Sequence, residues 1–239
     1  MRLYYTGASP DNLRKARQHA PSHVHGAGWT PDKMTPHDVP FFVDNGAFTD
    51  SFEWESWFDA LEKAKVEMPR LPDFIVWPDV HGDAEATFEL CDRLFNVELN
   101  REGRALLARR RDFDRFIALH PGLPLDEQFD RALSLGADGV FVGGPSRWQR
   151  SRGAEIVRRA KDVGCRGVKE TSRLRVHLGN PGSAEGLVWA YRVGFDSVDT
   201  TSIFQNQSWG WLEALEAATD ETHTPTPDTA QAELGAWST

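Results

Sequence analysis

The stretch Gly194-Phe195-Asp196-Ser197-Val198-Asp199-Thr200-Thr201-Ser202 decides how the rest of the chain is read. Just before it, Leu187, Val188 and Tyr191 fall at the i, i+1, i+4 spacing of a buried helix face. Gly194 supplies the C-terminal stop of that helix. Phe195 to Thr200 then alternates apolar and polar residues, the pattern of a short strand, with Asp199 near its far end. In a βα barrel the residues at the C-terminal ends of strands face the active site. A carboxylate in that place is either a solvated or loop-capping Asp or a catalytic group, and the rest of the sequence has to separate the two.

Working outward, the same unit recurs. Gly136-Ala137-Asp138-Gly139-Val140, Gly164-Cys165-Arg166-Gly167-Val168 and Gly194-Phe195-Asp196-Ser197-Val198 each follow an amphipathic helix. They are spaced by about thirty residues, the size of one βα unit. Further strands are expected at Arg2 to Thr6, Pro40 to Asp44, Asp73 to Pro78 and Arg115 to His120. Between Gly164 and Gly182, Leu174 to Leu178 is preferred to Arg166 to Glu170, because it runs into Gly179-Asn180-Pro181-Gly182 before the next helix. Helices are expected between them, one carrying Trp54, Trp57, Phe58 and Leu61 and the next Phe88, Cys91, Leu94 and Phe95.

About seven strands alternating with helices imply a parallel sheet and an α/β fold, a TIM-type (β/α)8-like barrel. A doubly wound sheet is the alternative, but no Gly-x-Gly-x-x-Gly opens a helix after the first strand. Residues 7–39, rich in Gly, Pro and His, read as a helix followed by a long loop. Residues 1–216 are expected to be one barrel domain. Residues 217–239, rich in Thr, Pro, Asp and Glu, are expected to be a disordered acidic tail.

The 239 residues, 40% hydrophobic and 26% charged, suit a single soluble domain. No apolar run reaches membrane-spanning length, so no membrane is expected as a partner. The two cysteines, Cys91 and Cys165, make no disulfide framework, which favours a cytoplasmic setting. His19, His23 and His25 lie close together, but His-x-His without a third ligand reads as a Gly-rich surface loop rather than a metal site.

A net charge of −9 argues against non-specific nucleic-acid binding while leaving room for a local basic face. Arg101, Arg104, Arg109, Arg110, Arg111 and Arg115 form one cluster, and Arg147, Arg150, Arg152, Arg158 and Arg159 another. Each is either a solvated helix face or a set of phosphate contacts. The second also holds Trp148, and arginine with an aromatic suits phosphate and base contacts.

Several expected strand ends carry groups capable of chemistry: Asp44 followed by Asn45, Asp79, His120, Gly143-Gly144, Gly179 and Asp199. Gly143-Gly144 is either a tight turn or a place where backbone approaches a flat ligand closely. Three carboxylates converging without metal-type partners point to acid/base and nucleophilic work on a glycosidic bond, which breaks through an oxocarbenium-like transition state.

These motifs resemble those of the tRNA-guanine transglycosylase superfamily, over roughly residues 40–205. The family's Asp-Ser-Gly-Gly-Phe motif is matched by Asp44-Asn45-Gly46-Ala47-Phe48, and its nucleophile segment Gly-x-Asp-x-Phe-Asp by Gly194 to Asp199. Its Gly-Gly-Leu base-binding turn is matched by Gly143-Gly144-Pro145, and the Gly-rich turn and helix before the nucleophile by Gly179 to Val193. Its base-reading Asp corresponds to Asp79, and its pocket Gln falls near His120, a departure.

The resemblance implies a TIM barrel in which Asp199 attacks C1′ of a flipped guanosine and guanine leaves. Asp44 then takes the ring proton of an incoming 7-deazaguanine. Asp79, His120, Asn45, Gly179 and the Gly143-Gly144 backbone would hold the base. It implies no metal or redox cofactor. The family's C-terminal zinc site, Cys-x-Cys-x-x-Cys with a later His, has no counterpart in the sequence. In the tRNA enzymes that region supports tRNA docking.

The short, zinc-free form is more similar to the DpdA-like branch of viral and genomic-island systems. Its members place 7-deazaguanines such as 7-cyano-7-deazaguanine into DNA, and a virus-encoded member would act in the host cytoplasm. DNA is therefore the expected polymer and tRNA the alternative, with Arg147, Trp148, Arg150 and Arg152 as its contacts. Outside this family, the alternatives are a non-catalytic nucleic-acid-binding barrel and a lyase acting on phosphorylated sugars. The lyase would need a phosphate site after the last strands, where no clear Gly-rich phosphate loop stands.

Overall fold

The computed structural model describes residues 1–33, 38–46, 54–98, 113–164 and 173–223. Eight parallel strands form a closed barrel in chain order. They are β1 (Arg2–Thr6), β2 (Val24–Trp29), β3 (Phe41–Val43), β4 (Phe74–Val76), β5 (Arg115–Leu119), β6 (Gly139–Val142), β7 (Arg175–Gly179) and β8 (Ser197–Asp199). The ring closes where β8 pairs with β1, with Leu3 opposite Val198 and Tyr4 opposite Asp199. Between and after the strands run α1 (Pro10–His19), α2 (Trp54–Val66), α3 (Ala84–Glu98), α4 (Leu125–Ser134), α5 (Ser146–Gly164), α6 (Ala184–Val193), α7 (Ser202–Gln205) and α8 (Gly210–His223). No helix among the described residues is long and apolar enough to cross a membrane.

Two apolar regions result. The larger lies between the strands and the helices and includes Leu3, Tyr5, Trp57, Phe88, Ile117, Leu119, Ile156 and Leu187. The smaller fills the barrel and consists of Tyr4, Phe42, Phe74, Val76 and Phe116, with Phe141 packed against it. Phe42 stacks on Phe74 with centroids 4.9 Å apart, and Phe74 on Phe116 at 4.0 Å. So much ring volume fits because neighbouring strands supply glycine. A Cβ on Gly139 would lie 2.4 Å from the Phe116 ring, one on Gly28 2.8 Å from that of Phe42, and one on Gly179 2.7 Å from that of Phe141.

The N-terminal end of the barrel is tied shut by charge. Tyr4 donates its hydroxyl proton to Asp73 at 2.6 Å, Arg2 pairs with the same carboxylate at 3.0 Å, and Arg175 donates to the Asp73 carbonyl at 2.9 Å while also pairing with Asp114. Burial and the Asp73 carboxylate push the Tyr4 hydroxyl well above its usual pKa. Asp196 belongs to this end too. It accepts from the Val176 N–H at 2.8 Å. Arg115, grouped with a cluster read as either a solvated helix face or phosphate contacts, instead donates to the carbonyls of Leu135 and Gly136 with its guanidinium over Trp77.

Three expectations are corrected. The described residues hold eight strands, because residues 7–39 contain β2 as well as a helix. Its sequence, Val-His-Gly-Ala-Gly-Trp, lacks the β-branched alternation of a strand. Gly26 and Gly28 are there for space, since a Cβ on Gly26 would lie 2.4 Å from the Pro40 carbonyl oxygen. The histidines beside it are not a surface loop. His25 is buried, hydrogen-bonded to the Tyr5 hydroxyl at 2.9 Å and the Ala20 carbonyl at 2.7 Å, and its pKa is pushed down to about 4 by burial. His23 is buried against Thr219.

The third correction is the boundary at residue 216. Helix α8 continues to His223 and packs Leu212, Leu215, Ala218 and Thr219 into the protein. Residues 224–239 lie outside the described residues, as do Ala47, Phe48, Arg101, Arg104, Arg109, Arg110, Arg111, Cys165 and the rejected strand at Arg166 to Glu170. The preferred strand at Leu174 to Leu178 agrees with β7.

The interior packing carries a direct test. Gly139→Ala forces a methyl against the stacked Phe116 ring and is expected to destabilise the barrel by about 1–3 kcal/mol. Gly210→Ala, where a Cβ meets nothing within 4 Å, should leave the thermal midpoint nearly unchanged. Circular-dichroism melts of both variants check the contrast.

Candidate functional site

Strand ends set the site. Asp44 directly follows β3, Asp79 lies three residues past β4, His120 directly follows β5, Gly143 and Gly144 follow β6, Gly179 ends β7 and Asp199 ends β8. All stand at the C-terminal face of the barrel, the end opposite the Tyr4–Asp73 closure.

Asp79 is the centre of one cluster. Its Oδ1 accepts from Asn45 Nδ2 at 2.6 Å, and the same amide donates to the Trp77 carbonyl at 2.6 Å. Its Oδ2 lies 2.6 Å from His120 Nε2. The Gly82 N–H donates to His120 Nδ1 at 3.3 Å, so the ring proton sits on Nε2 and points at Asp79. His120 is otherwise enclosed: its N–H donates to Gln128 Oε1 at 3.1 Å and its carbonyl accepts from Gln128 Nε2 at 2.9 Å. Gly143 passes directly over the imidazole, where a Cβ would come within 2.4 Å of Cε1. Gly144 follows at φ +80°, the left-handed region that favours glycine. Gly143-Gly144 is therefore a tight turn whose backbone passes close to the His120 ring.

Asp199 is the centre of the other cluster. Its Oδ1 lies 3.0 Å from His177 Nε2, and His177 Nδ1 lies 2.8 Å from Ser197 Oγ. His177 has no exposed surface and stands among the rings of Tyr4, Phe42, Phe74 and Phe141, the last stacked on it at 4.8 Å. The Asp199 side chain keeps 16% of its surface exposed. It therefore faces the mouth while its histidine partner is sealed below.

Asp44 joins the two clusters electrostatically. Its pKa is raised from 3.8 to about 7, first by burial and then by the negative charges of Asp199 and Asp79. The Gly46 N–H, 3.4 Å from Oδ1, opposes the shift only in part. At neutral pH this carboxyl both gives and takes a proton readily, the property required of a general acid/base. Burial beside like charges is also how one carboxylate in a group is made to differ from its neighbours.

The loops carrying these groups are pinned by buried amides. Gln149 Nε2 donates to the carbonyls of Val142 at 3.3 Å and Gly179 at 2.8 Å, tying the ends of β6 and β7 together. The Thr87 hydroxyl accepts from the Val80 N–H at 2.9 Å beside Asp79. On α5, Arg147 and Arg150 are exposed. Arg150 lies 4.6 Å over the Trp189 ring, and Arg152 pairs with Glu155 at 3.2 Å. Trp148 is half-buried against the core rather than free for stacking, because its face of α5 packs inward.

The structure thus brings together Asp44, Asn45, Asp79, His120, Gly143, Gly144, Gly179 and Asp199 at one mouth, with the arginines on the flank of the following helix. Sequence reasoning missed His177, Ser197 and Gln149. A signal for the first was present: Arg175, His177 and Gly179 alternate with Val176 and Leu178, so one face of a buried strand carries polar groups.

Asp44 predicts a specific pH dependence of stability. Its folded pKa lies above its unfolded value, so the folded state binds the proton more tightly. The contribution is most favourable below about pH 4 and is lost as pH rises through about 7. Asp44→Asn should therefore match the wild-type melting temperature near pH 4.5 and exceed it at pH 8.5, by on the order of 5 °C. Equal midpoints at both pH values would show that the carboxyl is not strained by its surroundings.

No protein-family model matches the sequence, and no curated protein matches it. Among solved structures, the chain is similar to one described as "Native KDPGal structure", with a TM-score of 0.47 and 14% identity over 92% of this chain and 94% of that one.

Proposed function

We propose that the protein is a base-exchange transglycosylase that replaces guanine in DNA with a 7-deazaguanine, such as 7-cyano-7-deazaguanine, through a covalent Asp199-glycosyl intermediate. The observation that carries this reading is the coupling of Asp44 to Asp199 and Asp79 at one barrel mouth. One carboxyl is set near neutrality there, while Asp199 is held from below by a histidine.

Glycosyl exchange needs that division of labour. The target nucleotide is extruded from its stack. Asp199 attacks C1′ as the C1′–N bond breaks, and the electron pair leaves with the guanine. Asp44 takes the ring proton of the incoming base, whose nitrogen displaces the Asp199 carboxylate from C1′. Two displacements retain the anomeric configuration.

The Asp79 cluster is suited to the base. A 7-deazaguanine presents N–H donors along one edge, and a carboxylate is acceptor-only. Asn45 and His120 each take one oxygen of Asp79, fixing its plane and leaving lone pairs on both oxygens for an incoming donor. The Gly143-Gly144 turn borders this cluster at the His120 ring. Arg147, Arg150 and Arg152 are exposed at the start of α5, directly after this turn, and would contact phosphates flanking an extruded nucleotide.

The test incubates the protein with duplex DNA or unmodified tRNA at equal concentration, with labelled guanine or 7-cyano-7-deazaguanine. Nucleosides are then analysed by mass spectrometry. Incorporation into DNA is expected, and Asp199→Ala should abolish it without loss of fold. A folded Asp199→Ala variant with near-normal exchange would falsify the nucleophile assignment. Incorporation into tRNA alone would overturn the choice of polymer. Neutralising Arg147, Arg150 and Arg152 together should weaken DNA binding and reduce its log–log salt slope by roughly one for each phosphate no longer neutralised.

A further inference from the structure

We infer that His177 is a positioning residue that selects which oxygen of Asp199 attacks and holds the other through both displacements. The inference rests on the transglycosylase reading for its chemistry, and on geometry alone for the assignment of the proton.

Among the described residues, the imidazole has two polar contacts, Ser197 Oγ at Nδ1 and Asp199 Oδ1 at Nε2. Its remaining surroundings include the rings of Tyr4, Phe42, Phe74 and Phe141, and it has no exposed surface. An ionised carboxylate only accepts, so a proton must lie on Nε2 for that contact to be a hydrogen bond. In the neutral ring Nδ1 is then an acceptor, and the Ser197 hydroxyl, which can rotate to suit, donates to it. The opposite tautomer would set the Nε2 lone pair against Oδ1 in a dry, aromatic environment. Ser197 thus fixes the tautomer, and the tautomer fixes the carboxylate.

This arrangement divides the two oxygens of Asp199. With Oδ1 held by the buried ring, Oδ2 is the oxygen left to form the bond to C1′. As it does, the C1′–N bond breaks and its electron pair leaves with the base. Oδ1 becomes the carbonyl oxygen of the glycosyl ester and still faces the Nε2–H. In the return step the C1′–Oδ2 bond breaks, its pair goes back to the carboxylate, and the charge reappears on a group already supplied with a donor. The donor is matched to the charged carboxylate and needs no reorganisation during either step. His177 keeps its proton throughout.

Two measurements decide the inference. The first needs no activity: ¹⁵N spectra of the full-length protein labelled at histidine should show His177 protonated at Nε2, with Nδ1 as an accepting nitrogen. A ring protonated at Nδ1 and bare at Nε2 overturns the assignment whatever the protein catalyses. The second is kinetic. His177→Phe keeps the aromatic packing and removes the donor, and should lower kcat for labelled-base exchange by about 10- to 100-fold with little change in KM for the base. His177→Gln, which restores a donor, should recover a substantial part of the loss. A folded His177→Phe variant with wild-type kcat would sink the positioning role. If neither variant folds, the tautomer in the wild type decides. If the wild type exchanges no base in DNA or tRNA, the proposed function fails, while the spectrum still settles whether His177 holds Asp199.

Discussion

A barrel of eight short parallel strands has one interior, and here aromatic rings fill much of it. Most of what distinguishes this protein follows from that. Tyr4, Phe42, Phe74, Phe116 and Phe141 occupy the volume in which a βα barrel commonly stacks branched aliphatic side chains. Rings of this size leave no room for a second large residue beside them, so Gly28, Gly139 and Gly179 stand opposite. The same rule reaches the mouth, where Gly143 yields to the His120 imidazole. The rings also give His177 its surroundings: an imidazole packed among aromatics and bonded to Ser197 and Asp199 is held in place by packing and hydrogen bonding together.

Above this apolar plug the mouth collects negative charge that is held, among the described residues, by histidine and asparagine hydrogen bonds and not by arginine ion pairs. At Asp44, burial and two neighbouring carboxylates drive the pKa toward neutrality. The opposite end of the barrel shows the alternative treatment. There Asp73, Asp114 and Asp196 each meet an arginine, from Arg2, Arg175 and Arg173 respectively. One end of the same barrel matches its carboxylates with cations, and the other buries Asp44 beside two more carboxylates. A perturbed carboxyl confined to one face of the barrel marks that face as the candidate functional site.

The sequence made much of this legible. The Gly-capped helix before Phe195 and the helix–Gly–strand units point to a parallel α/β fold, with a barrel preferred to a doubly wound sheet, and the strand ends carrying Asp44, Asp79, His120 and Asp199 follow from the same reading. Two things were hidden, for physical reasons. Strand β2 was hidden because its composition answers to its neighbours' rings rather than to strand propensity. Tertiary packing chose glycine where local preference would choose valine. The partner of Asp199 was hidden because His177 and Asp199 meet only when the barrel closes. The hydrogen bonds of Gln149 to Val142 and Gly179 likewise exist only once β6 and β7 are side by side. The end of α8 was read as tail because its composition is polar, yet Leu212 and Leu215 are buried in the core and the helix packs against α6 and α1.

The glutamine staples have a consequence for motion. Loops at the rim of a barrel usually fluctuate independently, each opening to solvent on its own timescale. Here the His120 N–H is bonded to Gln128, the Gly143 N–H to the Leu119 carbonyl, and the carbonyls of Val142 and Gly179 share one amide of Gln149. None of these bonds can break without exposing a buried polar group or parting adjacent strands. These bonds couple the rim between β5 and β7 to the strands beneath it, so its amide hydrogens are expected to exchange through the opening that frees the barrel itself rather than through local loop excursions.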